Sequence, residues 1–173
     1  MISDGYRYLL AEAHAGNAIW GSDGARHARK IGALARRVGA LTLLDFGCGK
    51  GTLKANFLEP GVRVAEYDPG IPGKHELPAE RFDIVACTDV LEHVEPEQID
   101  ATLAWIAAHS AKATYLQVCC RPANETLPDG RNAHLIVQPH NWWYETIRKF
   151  YPNGKFEWHE ATYSFEAIII PAR

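Results

Sequence analysis

Four absences narrow the chain's class. There is no basic surplus: 18 lysines and arginines stand against 21 aspartates and glutamates, a formal net charge of −3. A strongly basic surface for duplex nucleic acid is therefore not expected, which leaves room for a local patch. No run of about 18 apolar residues occurs, so no membrane-spanning helix is expected. Met1-Ile2-Ser3-Asp4-Gly5 carries neither the basic start nor the apolar stretch of a secretion leader. The four cysteines, Cys48, Cys87, Cys119 and Cys120, form no Cys-x-x-Cys pair. They read as small reduced thiols of a cytoplasmic protein rather than as a zinc or disulfide framework. Without a leader, Asn124-Glu125-Thr126 carries no weight as a glycosylation signal.

What is present is an ordinary globular balance: 173 residues, 47% hydrophobic and 23% charged. That length suits one compact domain. The expected division is a helical cap over 1–40 and a core over 41–173. Helical spacing runs through 6–20, with Tyr6, Leu9, Leu10, Ala13 and Ala18 on one face, then breaks at Trp20-Gly21-Ser22-Asp23-Gly24. A second helix is predicted over 25–38, its arginines on a solvated face. Strands follow at 42–46, 62–67, 82–88 and 113–120, with helices at 52–58, 96–108 and 141–150, and a terminal strand pair at 156–161 and 164–170. Alternating strand and helix argues for a doubly wound α/β fold, Rossmann-like, with a mostly parallel sheet. The closing pair adds antiparallel strands. Between Asp68 and Asp83, Pro69, Gly70, Pro72, Gly73 and Pro78 leave room only for a short extended piece over 74–77.

The chemistry concentrates at Leu43-Leu44-Asp45-Phe46-Gly47-Cys48-Gly49-Lys50-Gly51. An apolar run ends in an acid, and three glycines alternate. A buried strand breaks there into a tight turn that lets backbone approach a ligand closely. A phosphate loop needs Ser or Thr after Gly-Lys, and Gly51 stands there; a dinucleotide fingerprint needs a third glycine where Thr52 stands. The pattern Asp-x-Gly-x-Gly-x-Gly points instead to S-adenosylmethionine.

On these residues the chain resembles the class I S-adenosylmethionine-dependent methyltransferases, from about residue 40 onward. The resemblance implies that Asp45, Gly47, Cys48, Gly49 and Gly51 wrap the methionine part of the cofactor, and that Asp68 takes the ribose hydroxyls. A carboxylate suits two adjacent hydroxyls because its two oxygens both accept. The same resemblance places Glu76 beside the adenine and Asp89 at the mouth of the site; Asp83, at the other end of its strand, reads as structural.

Thr88-Asp89-Val90-Leu91-Glu92-His93-Val94 resembles two branches of that family: the O-methyltransferases of ubiquinone synthesis and the RNA 3′-end 2′-O-methyltransferases. As a helix, it would put Asp89, Glu92 and His93 on one face. The second branch implies a divalent metal (magnesium, manganese or zinc) held by Glu92, His93 and a later histidine, here His134. Without a metal, His93 or His134 stands as general base, and Asp89 completes the catalytic set. The polar loop after the strand at 113–120 carries Arg121 and Arg131 as an anion clamp for substrate. Trp20-Gly21 is placed to close over the methionine end, and one of Trp142 and Trp143 to face the site.

The expected activity is methyl transfer to a small-molecule or nucleotide-like acceptor at oxygen. The alternatives are a metal-dependent RNA- or DNA-end methyltransferase and a non-catalytic S-adenosylmethionine binder. An Asp/Asn-Pro-Pro-aromatic motif of nitrogen-methylating DNA enzymes is missing: Thr88-Asp89-Val90-Leu91 stands there. The acceptor and the oligomeric state are not written in the sequence.

Overall fold

A computed structural model describes residues 2–17 and 19–172. Helix α1, Asp4–Gly16, starts where the Ser3 hydroxyl accepts from Tyr6 N–H. It stops four residues short of the predicted 6–20 helix. Asn17 turns extended, and its Oδ1 accepts from the N–H groups of Ile19 and Trp20, a local bond that competes with the helix. Ala18, predicted on the helix face, lies outside the described residues.

A 3-10 turn over Asp23–His27 leads into α2, Ala28–Val38. Ile31, Leu34 and Ala35 face inward, and Gly39 ends the helix in a left-handed conformation at φ 61°. Next come β1, Thr42–Phe46; α3, Thr52–Asn56; β2, Arg63–Tyr67; and β3, Phe82–Thr88. A 3-10 turn over Pro96–Gln98 precedes α4, Ile99–His109. Then follow β4, Ser110–Cys119; α5, His140–Arg148; β5, Lys155–Ala161; and β6, Ser164–Ile170.

The six strands lie in the order β2-β1-β3-β4-β6-β5. The first four run parallel, and β6 and β5 pair antiparallel. The fold is therefore the mostly parallel, Rossmann-like sheet expected, with its antiparallel C-terminal pair. The residues over 74–77 form turns and bends rather than a strand, so β2 is the sheet's edge. Their prolines and glycines, and a bond from Asp68 N–H to Lys74 O, fold the segment back on itself.

Two apolar layers cover the sheet. Leu44, Val85, Leu116 and Phe165 pack on one face with Leu103 and Ile106 of α4 and Trp143 and Ile147 of α5. Leu43, Ile84 and Tyr115 pack on the other with Ile31 and Leu34 of α2 and Leu53 of α3. Trp143 is fully buried, and its half-buried neighbour Trp142 packs on the same core. Neither lines the cavity described below. A third cluster joins Tyr6 and Leu10 of α1 to Leu127 and Ala133 of the loop after β4. It lays α1 over the carboxyl ends of the parallel strands, the end where such sheets bind ligands.

Candidate active site

A cavity of about 200 Å³ opens at those carboxyl ends. Asp45 near the end of β1, Gly47 to Gly49, Asp68 after β2, and Thr88 and Asp89 at the end of β3 form its floor. Tyr6, Leu10 and His14 of α1, with Trp20 and Gly21, form its roof.

The turn after β1 uses its backbone in an unexpected way. Gly47 and Gly49 take left-handed conformations, φ 79° and 48°. A Cβ on Gly49 would sit 2.4 Å from Gly21 O, and one on Gly47 would strike Val90, so only glycine fits. Every N–H from residue 47 to 51 donates within the protein. Gly47 and Cys48 bond Tyr67 O, Gly49 bonds Asp68 Oδ2, Lys50 bonds Gly21 O and Gly51 bonds Cys48 O. A phosphate-binding turn must present free N–H groups; this one does not.

The lining is correspondingly acidic. Asp23, Asp45, Asp68, Asp89 and Glu125 border the cavity, and among the described residues no lysine or arginine does. Asp45 is 3% exposed, and its Oδ2 has no partner. Burial first, then the Glu66 and Asp68 carboxylates, push its carboxyl up to about 7. Asp68 accepts from Gly49 N–H and Gly70 N–H at 2.9 Å each, one per oxygen, so each keeps a free lone pair. His14 Nε2 lies 3.6 Å from it. Burial lowers the His14 imidazole, and its Nδ1 is buried without a partner.

His93 faces the same space, its ring against Trp20 at 5.5 Å. Its Nδ1–H donates to Ala133 O at 2.8 Å, which leaves Nε2 as the unprotonated nitrogen. Burial, then neighbouring His134, lower it to about 4.

Cavity, glycine turn and topology agree with the sequence comparison, in which residues 10–166 match the methyltransferase domain. The chain belongs to the methyltransferase domain family. No curated protein sequence matches it. Among solved structures, the methyltransferase is similar to Burkholderia thailandensis 1,6-didemethyltoxoflavin-N1-methyltransferase, solved with 1,6-didemethyltoxoflavin and S-adenosylhomocysteine. The identity is 20%, the TM-score 0.67, and the match covers 98% of this chain and 90% of that one. Magnesium protoporphyrin IX methyltransferase from Synechocystis PCC 6803, with bound S-adenosylhomocysteine, gives 18% identity and TM-score 0.58 over 86% and 83% of the two chains. An O-methyltransferase family protein of Burkholderia thailandensis gives 13% and 0.59 over 86% of this chain but only 57% of its own length.

Several predicted site residues of the methyltransferase lie elsewhere. Glu76 is exposed and does not line the cavity, because the turns of 69–77 carry it outward. Gly51 caps α3 with φ 75° and also lies outside the lining. Arg131 pairs with Asp129 at 2.7 Å and lies over the Tyr6 ring, while Arg121 lies over Tyr163; both are exposed. No arginine clamp therefore meets the cavity.

The shared face of Asp89, Glu92 and His93 does not form either. Asp89 has φ 54°, and only Leu91–His93 make a 3-10 turn before Val94 goes extended. Asp89 instead pairs with Arg26, and His27 Nε2 is 3.6 Å away. Burial alone would raise its carboxyl, but His27 and Arg26 hold it below the usual carboxylate range. Glu92 is fully buried, its Oε1 accepting from Cys119 N–H at 2.7 Å. Burial, then Asp89, push it up to about 8. His134 stands edge-on to His93, ring centroids 4.7 Å apart, outside the lining. The predicted metal set does not assemble: the donor atoms that converge are those of Glu92, Cys119 and His134, without His93.

Sequence reading missed His14, Arg26 and His27. His14 follows Leu10 and Tyr6 at helical spacing, which reads as packing. Arg26 and His27 depend on a 3-10 turn with no sequence signal.

Proposed function

We propose that this methyltransferase moves the methyl group of S-adenosylmethionine to an oxygen, or to a ring nitrogen, of a small-molecule or nucleotide-like acceptor. The observation that carries the cofactor is the cavity's charge. Five carboxylates border it, no lysine or arginine among the described residues does, and the glycine turn keeps its N–H groups to itself. Such a site favours a cation and disfavours a phosphate. S-adenosylmethionine carries both an ammonium and a sulfonium, whereas a nucleoside triphosphate or dinucleotide brings negative charge.

The buried, unpartnered Asp45 Oδ2 fits an ammonium, and Asp68 fits the paired ribose hydroxyls. When bound, S-adenosylmethionine supplies an electrophilic methyl carbon on a sulfonium. The chain's own part is to align the acceptor, exclude water and receive a proton. Residues 1–40 act as the cap that excludes water, with Trp20 and Gly21 over the glycine turn. His93 is the base, because its Nε2 is free and its ring borders the cavity. Asp89 is a positioning residue tied to Arg26, not a base. An imidazole lowered to about 4 is a weak base, so it suits an acceptor whose proton is already acidic, such as a phenol, an enol or a ring N–H. The net charge of −3 again disfavours duplex nucleic acid, and four free cysteines suit the cytoplasm.

The test is calorimetry with S-adenosylmethionine, followed by labelled-methyl transfer to phenols, enols, nitrogen heterocycles, nucleotides and RNA. One equivalent bound with transfer to one class supports the reading. Binding without transfer to any acceptor establishes the non-catalytic alternative, and no binding at saturating ligand removes the assignment.

A further inference from the structure

Outside the cavity lining, at the end of β4, three side chains converge that methyl transfer as proposed does not use. One ligand atom each of Glu92, Cys119 and His134 lie within 4.8 Å of one another. Each is left with a free donor atom by a different bond. Glu92 Oε1 is held by Cys119 N–H, so Oε2 is the free oxygen; it is fully buried and has no partner. A buried carboxylate oxygen in that state costs free energy unless something fills its lone pairs. His134 Nδ1–H donates to Arg121 O at 2.6 Å, so Nε2 is the ring nitrogen left to coordinate. A carbonyl that fixes the tautomer and orients the ring is the usual outer partner of a metal-bound imidazole. Cys119 Sγ makes only a 3.9 Å contact, to the same carbonyl of Arg121.

We propose that Glu92 Oε2, Cys119 Sγ and His134 Nε2 form a binding site for a thiophilic divalent cation, zinc above all. The sulfur sets the choice: carboxylate, imidazole and thiolate are all zinc ligands, whereas magnesium takes an all-oxygen shell. This ligand set departs from the one expected from the acid-x-x-Glu-His segment. His93 drops out because Ala133 O holds its Nδ1 and its ring borders the cavity. Asp89 drops out because Arg26 and His27 hold it. Cys119, on a strand and without any motif, takes their place. Three protein donors leave a fourth position for water. The site joins β4, the 3-10 turn after β3 and the loop after β4, so a bound ion ties that loop to the sheet.

The test uses the whole chain, stripped of metal by chelation, without S-adenosylmethionine, so its failure and a failure of the cofactor assignment are separate results. Cobalt(II) is the spectroscopic probe and zinc its competitor. One equivalent of cobalt is expected to bind with a thiolate-to-cobalt charge-transfer band and the strong visible bands of a tetrahedral centre, and zinc is expected to displace it. C119S is expected to lose the charge-transfer band and to weaken zinc binding at least tenfold; E92Q and H134A are expected to weaken zinc binding to a similar extent. C120S and H93A are expected to bind zinc as the parent does. Circular dichroism and thermal melting separate lost binding from lost folding, and C119S, at a half-buried position, keeps the test open if E92Q fails to fold. A folded parent that binds cobalt without a thiolate band, a C119S protein that binds zinc unchanged, or an H93A protein that loses it would overturn the assignment.

Discussion

Arg26 reaches from the 3-10 turn ahead of α2 to Asp89 at the carboxyl end of β3, Nη2 to Oδ2 at 2.5 Å. The pair joins the N-terminal segment to the one non-glycine residue with positive φ among the described residues. A side chain in that region is strained, and such strain persists where neighbours hold it. Arg26→Ala is expected to leave the fold intact, because the arginine is half exposed and its ion pair screened. The expected loss is in turnover: about tenfold in kcat/KM, about 1.4 kcal/mol, with S-adenosylmethionine affinity nearly unchanged. Steady-state kinetics beside calorimetry separates the two.

Asp45 is expected to make cofactor binding depend on pH. Its carboxyl stands near 7 in the folded chain against 3.8 when exposed, so the folded state holds the proton more tightly. That contribution to stability is whole below about 4 and is lost as pH rises through about 7. Asp45→Asn is therefore expected to stabilise the ligand-free protein at pH 8, by about 1–3 kcal/mol in thermal or denaturant unfolding. A bound ammonium favours the carboxylate, so binding at pH 6 is expected to release a proton. Calorimetry in buffers of different ionisation enthalpy would register it, and Asp45→Asn is expected to abolish the release while weakening affinity.

His93 gives a second pH signature. Its folded value near 4 against 6.5 means that it stays neutral in the folded protein. The stability it contributes is whole above 6.5 and is lost as pH falls toward 4. The acid limb of kcat/KM is accordingly expected near 4. A limb near 6.5 that disappears in His93→Gln would contradict the assigned environment. His93→Ala is expected to lower kcat by about a hundredfold or more with cofactor affinity kept.

Two glycines with similar φ separate conformational strain from collision. Gly39→Ala, at φ 61° with open space around it, is expected to cost about 1 kcal/mol. Gly49→Ala, at φ 48° and 2.4 Å from Gly21 O, is expected to cost about 2 kcal/mol or more and to weaken S-adenosylmethionine binding as well. Melting temperatures and titrations of the two variants, side by side, measure the difference.

The strands at 42–46, 82–88 and 164–170 were legible to the residue, because apolar runs or strict alternation leave few other ways to be buried. Asp45, Gly47, Cys48, Gly49 and Asp68 border the cavity, where the chain must break because a strand ends. What escaped reading depends on local geometry rather than pattern. The shared face of Asp89, Glu92 and His93 depended on a helix over 89–93, and the chain makes one 3-10 turn after a positive φ instead, which sends Asp89 to Arg26 and Glu92 into the core. Glu76 was expected at the cavity, but no periodicity predicts the path of 69–77. Cys119 closes the buried run of β4, so nothing in its spacing distinguishes it from a packing residue.

Lys50 donates its backbone N–H to Gly21 O and its side chain to His14 O, so one residue of the glycine turn, itself outside the lining, ties the roof down twice. Floor and roof are thereby tied at a set spacing, and that spacing limits the thickness of any group held between them.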